Sequence, residues 1–175
     1  SHERVIVLEV MGRYAGWIAL FAGMAGGADV ILLPEIPFSY DSILEKIRER
    51  ERQGKKFTLI AVAEGAREKD GQFVTSAGQE ENREARLGGI GAVVADEVAR
   101  RGGRETRCCV LGHLQRGGSP TPFDRVLCSL FGAHAVELIA TGKLGRMVAW
   151  QGAQIGDIPL ADAIGRLKTV PLESN

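Results

Sequence analysis

The chain has 175 residues, 45% of them hydrophobic, and its 22 Lys+Arg balance 22 Asp+Glu for a formal net charge of zero. That length supports one or two domains with a buried core. The neutral balance excludes nucleic-acid or membrane-surface binding through bulk electrostatics, so any anion site must be a local cluster of basic residues. No apolar run approaches the roughly 18 residues that a spanning helix needs.

Taken in chain order, the hydrophobic pattern alternates between strand-like and helix-like stretches. "RVIVLEV" (4–10) is a β-branched run, and "GRYAGWIALFAGMAGG" (12–27) a small-residue helix closing on glycines. "DVILLP" (29–34) predicts a strand that proline stops. "YDSILEKIRERERQG" (40–54) predicts a helix with Asp41 or Ser42 as N-cap and Gly54 at its end. "FTLIAVAEG" (57–65) is a continuous apolar strand, followed by a polar stretch, about 66–83, too charged and glycine-containing for regular structure. "ARLGGIGAVVADEVARRGG" (85–103) predicts a helix, "TRCCVLGH" (106–113) a strand and "PFDRVLCSLFGAHAVELIATG" (122–142) a helix. "RMVAWQ" (146–151) and "ADAIGRLK" (161–168) close the series. Strands and helices in this alternation mean parallel βαβ units, and unbroken apolar strands mean helices on both faces of the sheet. The fold class is therefore α/β.

The three cysteines, Cys108, Cys109 and Cys128, form no CxxC pair. Adjacent Cys108 and Cys109 read as small core residues on opposite faces of a strand, in keeping with a reducing cytoplasm. The chain shows no basic leader with a small-residue cleavage pattern. It begins at Ser1 without methionine and enters a strand by about Arg4, an abruptness expected of a piece of a longer chain.

Open parallel sheets bind ligands outside the carboxyl ends of their strands. The first strand ends in Glu9-Val10-Met11-Gly12-Arg13, the third in Glu64-Gly65, and the fourth in Gly112-His113-Leu114-Gln115-Arg116-Gly117-Gly118. Each end sets a titratable side chain beside a glycine, which lets backbone approach a ligand. Arg13 at a helix start opposes the helix dipole unless an anion lies between them, which favours an anion role over a solvated one. Glu64 serves equally as a ligand acceptor or as an ordinary ion-pair partner. His113 with Arg116 three residues on favours phosphate binding. Asp124 and Arg125 fall in the first turn of a helix, where Asp124 suits the dipole and the pair reads as structural, a cap or a tie to the loop. Neither a P-loop nor a GxGxxG spacing is present. Arg4 and Arg107 lie at the opposite, amino ends of their strands. A six-residue strand spans roughly 20 Å, so these arginines are either solvated edge residues or groups serving a neighbouring subunit.

"LEVMGRYAG" (8–16), "AGGAD" (25–29), "PEIPF" (34–38), "VAEG" (62–65) and "LGHLQRGGSPTPFDR" (111–125), in this order, resemble the 6-phosphofructokinase family. The resemblance covers essentially the whole chain, and the last motif is its most specific part. It implies a phosphofructokinase-like α/β fold and phosphoryl transfer to the 1-hydroxyl of fructose 6-phosphate. It further implies that Met11, Gly12 and Arg13 wrap the sugar and the transferring group, with Arg13 as the catalytic arginine. Glu64 is implied to hydrogen-bond a sugar hydroxyl, and His113 and Arg116 to hold the 6-phosphate and the sugar. Arg4 and Arg107 would reach the 6-phosphate of an adjacent subunit in a homo-oligomer, a dimer or tetramer. Asp29 with Lys55 and Lys56 resembles part of the effector site of bacterial members.

The family's TxDND-type motif, with its catalytic aspartate, and its GGD and GGxxxGxN-type segments are missing from these residues. The resemblance therefore implies that Mg²⁺ with ATP or pyrophosphate is bound mainly by a half not present here. On that reading residues 1–114 form the sugar-phosphate domain, 115–158 a return segment to the donor domain, and 159–175 a C-terminal tail. The interval from Glu64 to Arg107 resembles the longer forms of the family, among which both donors occur. The alternative from another class is a non-catalytic sugar-phosphate-binding or oligomerisation module.

Overall fold

The computed structural model describes residues 4–69, 71, 74 and 88–172. Their contacts divide into two compact units, one running to Arg116 and regaining the chain from Lys168, the other Gly117–Leu167.

The first unit is built on a four-stranded, all-parallel sheet. Its strands are β1 (Arg4–Val10), β2 (Val30–Leu32), β3 (Phe57–Ala63) and β4 (Glu105–Val110), in the order β2-β3-β1-β4. Register places Glu9 beside Val62 on one flank and Val110 on the other. The helices are α1 (Trp17–Ala25), α2 (Tyr40–Arg52) and α3 (Ile90–Gly102). Alternation along β1 explains why both faces need cover. Val5 and Val7 enter a cluster with Ile43 and Ile47 of α2 and Val94 and Val98 of α3. Val10 and Leu8 enter a second cluster with Ala19 of α1, Leu33 and Val170. Two separate apolar clusters, one per face, are the signature of a sheet sandwiched between helices. The expected α/β class with helices on both faces is what the structure shows.

Several local expectations are corrected. The first helix begins at Trp17 rather than at Gly12, so Arg13 lies in the loop before it and not in its first turn. Ser39, rather than Asp41 or Ser42, caps α2, its hydroxyl accepting the Ser42 N–H at 3.3 Å. The fourth strand ends at Val110, and the chain then tightens into a 3₁₀ turn, Gly112–Arg116. Cys108 and Cys109 are exposed rather than core residues, because β4 is an edge strand. The stretch 66–83 lies mostly outside the described residues. Within it, Phe38 donates to Arg67 O and accepts from Lys69 N at 3.0 and 2.7 Å.

The second unit contains α4 (Pro122–Ala140), β5 (Arg146–Gln151), β6 (Gln154–Pro159) and a short α5 (Leu160–Ile164). Here β5 pairs antiparallel with β6 instead of extending the parallel series. Gly152 and Ala153 make the two-residue turn with φ of 52° and 78°, the left-handed pair that hairpin twist requires. Strand β6 escapes a hydrophobic reading because "QIGDIP" carries Gly156 and Asp157. Asp157 instead takes a hydrogen bond and ion pair from Arg146 on β5 and lies 3.5 Å from His134 Nε2 on α4. Helix α4 starts with a capping box. The Thr121 hydroxyl accepts from Asp124 N at 3.2 Å, and the Asp124 carboxylate accepts from Thr121 N at 2.8 Å. Thr121 is thus the N-cap, and Asp124, as the third helical residue, ties back to it, a structural role of the kind the sequence suggests.

Candidate functional site

Because β1 lies between β3 and β4, the three strand ends singled out in the sequence emerge side by side. The backbone ties them together. Glu64 N donates to Val10 O at 2.9 Å, Gly65 N to Gly12 O at 2.9 Å, and Leu111 N to Glu9 O at 3.1 Å. Side chains add two further ties. Gly12 N donates to Glu64 Oε1 at 3.4 Å, and Met11 N to Gln115 Oε1 at 3.3 Å.

The loop after β1 passes so near β3's exit that only glycine fits at position 65. A Cβ there would lie 1.8 Å from the Arg13 carbonyl oxygen. Gly12, at φ 150°, makes the matching sharp turn on the other side. These two glycines let the backbone of Met11–Arg13 seat directly on Glu64–Gly65.

A cavity of about 310 Å³ opens at this junction, with Met11, Glu64, Gly112 and His113 among its walls. Glu9 and the Gly88–Gly89 turn at the start of α3 complete it. Three of the predicted site residues, Met11, Glu64 and His113, are thus brought around one space. Arg13 and Arg116 come from the same two loops but do not line it. Arg13 is half-buried, with its guanidinium 5.1 Å from the Tyr14 ring centroid. Arg116 is exposed at the end of the 3₁₀ turn.

The other predicted residues lie at the opposite ends of the strands. Arg4 Nε donates to Glu105 Oε2 at 3.2 Å, and Arg107 donates to Glu105 Oε1 from Nε and Nη2 at 3.0 and 2.8 Å. One carboxylate therefore gathers both arginines. Their hydrogen bonds, Arg107's above all, hold the Glu105 carboxyl below the usual carboxylate range. Asp29 pairs with Arg50 at 2.6 Å and accepts from Leu59 N at 2.9 Å. It lines a cavity beside β2, whereas Lys55 and Lys56 line a small one with Arg4 and Thr58. The structure does not gather Asp29 with the two lysines.

Sequence reading passed over three acceptors that shape the site. Gln115 holds the Met11 backbone. Glu35 accepts from Gly16 N at 3.0 Å and from Val170 N at 2.8 Å, joining the start of α1 to the returning chain. Glu9 is a buried carboxylate at the cavity wall. Gln115 and Glu35 sit inside quoted motifs, "QRGG" and "PEIPF", but their partners are backbone groups that no side-chain pattern reveals.

Among the described residues no cluster of three His, Cys, Asp or Glu could hold a metal ion. No helix of the described residues is long and apolar enough to cross a membrane.

Comparison with known proteins agrees with this architecture. The phosphofructokinase family model matches residues 1–139. An ATP-dependent 6-phosphofructokinase of Chloroflexus aurantiacus is 54% identical over 170 residues, covering 97% of this chain and 46% of that protein. A pyrophosphate–fructose 6-phosphate 1-phosphotransferase of Amycolatopsis methanolica is 51% identical, covering 99% of this chain and 51% of that protein. Among solved structures, the T-state phosphofructokinase of Pichia pastoris superimposes with a TM-score of 0.76 at 35% identity, over 94% of this chain and 18% of that one. The pyrophosphate-dependent phosphofructokinase of Marinobacter aquaeolei gives 0.75 at 28% identity, over 96% of this chain and 42% of that one. The chain spans about half the length of the curated relatives it matches. With matching motifs, matching fold and a family model over most of its length, the chain belongs to the phosphofructokinase family.

Proposed function

We propose that the intact protein transfers a phosphoryl group to the 1-hydroxyl of fructose 6-phosphate, and that this chain supplies the sugar-phosphate site. The observation that carries the reading is the cavity where β1, β3 and β4 end together, with Glu64 and His113 on its walls. In this reading the Met11–Gly12 backbone seats the sugar and the Glu64 carboxylate accepts from a hydroxyl. His113 and Arg116 supply positive or donor groups to the 6-phosphate. Arg13, on the loop that Gly65 holds in place, meets negative charge developing on the transferred group. Catalysis of this kind rests on positioning and charge stabilisation.

Arg4 and Arg107, gathered on Glu105, serve the 6-phosphate of a neighbouring subunit in a homo-oligomer. Asp29, Lys55 and Lys56 remain the candidate effector residues, acting from different cavities. The donor is ATP or pyrophosphate with Mg²⁺, held outside this chain, and the protein works in the cytoplasm.

Steady-state kinetics of the intact protein, with fructose 6-phosphate and either donor, test this reading. Arg13→Ser is expected to lower kcat on the order of 100-fold with a smaller effect on KM. An unchanged kcat removes Arg13 from the transition state. His113→Asn is expected to raise KM for the sugar phosphate, and an unaltered KM sinks that assignment. The isolated 175-residue chain is expected to show no turnover; measurable kinase activity from it would refute the placement of the catalytic base elsewhere.

A further inference from the structure

One strand end carries a carboxylate that this reading leaves without a task. Glu9 is only 3% exposed. Its Oε1 accepts the Gly89 N–H at 3.1 Å and its Oε2 the Gly91 N–H at 2.7 Å, both at the start of α3. Burying a carboxylate is costly unless N–H groups replace its water. Helices ordinarily satisfy their first N–H groups with a local Ser, Thr, Asp or Asn at the N-cap, exposed and without that cost. Here the N-cap is Gly89, which has no side chain to offer.

The glycines around it explain the arrangement. Gly88 and Gly89 adopt φ of 144° and 89°. At Gly91 a Cβ would meet Glu9 Cβ at 2.9 Å and Cys108 Sγ at 3.0 Å. The two glycines of the turn into α3 therefore bring no side chain to fix it; it is held by the Glu9 carboxylate and by the Gly88 N–H, which donates to the Val74 carbonyl at 3.4 Å. That same turn lines the cavity together with Glu64 and His113. On the other flank the Glu9 carbonyl accepts the Leu111 N–H at 3.1 Å, one residue before the 3₁₀ turn that carries His113. One residue thus grips both walls, through its carboxylate on one side and its backbone on the other.

We propose that Glu9 is a positioning residue for sugar-phosphate binding, its buried carboxylate locking the Gly88–Gly89 turn at the width the ligand requires. The inference rests on the assignment of this cavity to fructose 6-phosphate. It extends that assignment to a residue whose carboxylate oxygens are already engaged by backbone N–H groups.

The test is made in the intact protein with Glu9→Gln, which keeps the side chain's size but turns one acceptor into a donor facing a backbone N–H. KM for fructose 6-phosphate is expected to rise about tenfold, with kcat and the donor KM changed less than about threefold. A lowered melting temperature with KM for fructose 6-phosphate unchanged overturns the proposal, since a merely structural cap would give that result. Should Glu9→Gln fail to fold, Gly89→Ala moves the same turn without touching the carboxylate. Among the described residues a Cβ there meets Val74 Cγ1 alone, at 3.9 Å, so the variant is strained at its φ but not crowded by them. The same selective rise in KM is expected of it, and an unchanged KM again overturns the proposal. His113→Asn separates the two layers of inference. If it leaves KM unaltered, the cavity assignment fails; if it raises KM while the Glu9 and Gly89 variants do not, only the role of Glu9 falls.

Discussion

The contact that most constrains the site is between two backbones. The Arg13 carbonyl occupies the space where any side chain at position 65 would begin, 1.8 Å from the Cβ position. Gly65→Ala must displace either the Met11–Arg13 loop or the exit of β3, and both are anchored in the sheet. We expect a loss of stability of about 2–4 kcal/mol, read from denaturant unfolding of the intact protein, with kcat/KM reduced beyond what the lost folded fraction explains. Glu35 is a second single-residue dependency. Removing its carboxylate by Glu35→Ala leaves the N–H groups of Gly16 and Val170 without their acceptor. Each such loss costs about 1–3 kcal/mol. Limited proteolysis should then cut sooner after Lys168, where the chain is also held by the Trp17 Nε1–H donating to the Lys168 carbonyl at 2.7 Å. Unchanged cleavage would show that this hydrogen bond and the burial of Val170 suffice.

At the scale of elements, the helices differ in how they are started, and the difference follows their place in the fold. Helix α4 carries its own capping box, Thr121 with Asp124, in solvent. Thr121→Ala is expected to cost about 1 kcal/mol of stability in thermal unfolding. The Asp124 carboxyl is held below its ordinary value by the hydrogen bond from the Thr121 backbone, and next by the Thr121 hydroxyl. A depressed folded value means its contribution is full above the unfolded value and is lost as pH falls through the folded one. Asp157 behaves alike for the hairpin, lowered first by the hydrogen bond from Arg146. Stability of α4 and the hairpin should therefore decline on acidification below the ordinary aspartate range, and Asp124→Asn should flatten that decline. Helices α1 and α3 instead borrow distant carboxylates, Glu35 and Glu9: Gly16 at the start of α1 is packed against Leu33 and Pro34 at the exit of β2, and Gly89 at the start of α3 lines the cavity. At Gly16 a side chain would begin 2.7 Å from Leu33, and at Gly89 the left-handed φ of 89° disfavours any residue with a Cβ.

Across the whole molecule, two features of the surface stand out. Net charge is zero, so nothing repels one copy from another. In addition, Ile18, Phe21 and Met24 of α1 and Phe123, Val126 and Val136 of α4 are exposed, each by 47–67%. Apolar faces of this kind usually receive a covering surface. The isolated chain is accordingly expected to associate in solution, as read by light scattering across a dilution series. A monomer at all concentrations would count against that.

Much of this protein was determined by its sequence alone. Unbroken apolar strands alternating with amphipathic helices require a parallel sheet covered on both faces, since no other packing buries both sides of such strands. The glycine-flanked Met11–Arg13, Glu64 and His113 could be placed at strand ends for the same reason, and the family motifs could be read in order. Tertiary structure decided what depends on neighbours distant in the chain. The edge position of β4 exposes Cys108 and Cys109, and the sheet order sets β1 between β3 and β4 so that three separate loops share one cavity. Strand β6, with a glycine and an aspartate at its centre, pairs only because β5 and a left-handed turn bring it there. Glu9 shows the limit most plainly. In sequence it is one charged residue in an apolar strand, and its function lies in two N–H groups some eighty residues further along, which only folding brings to it.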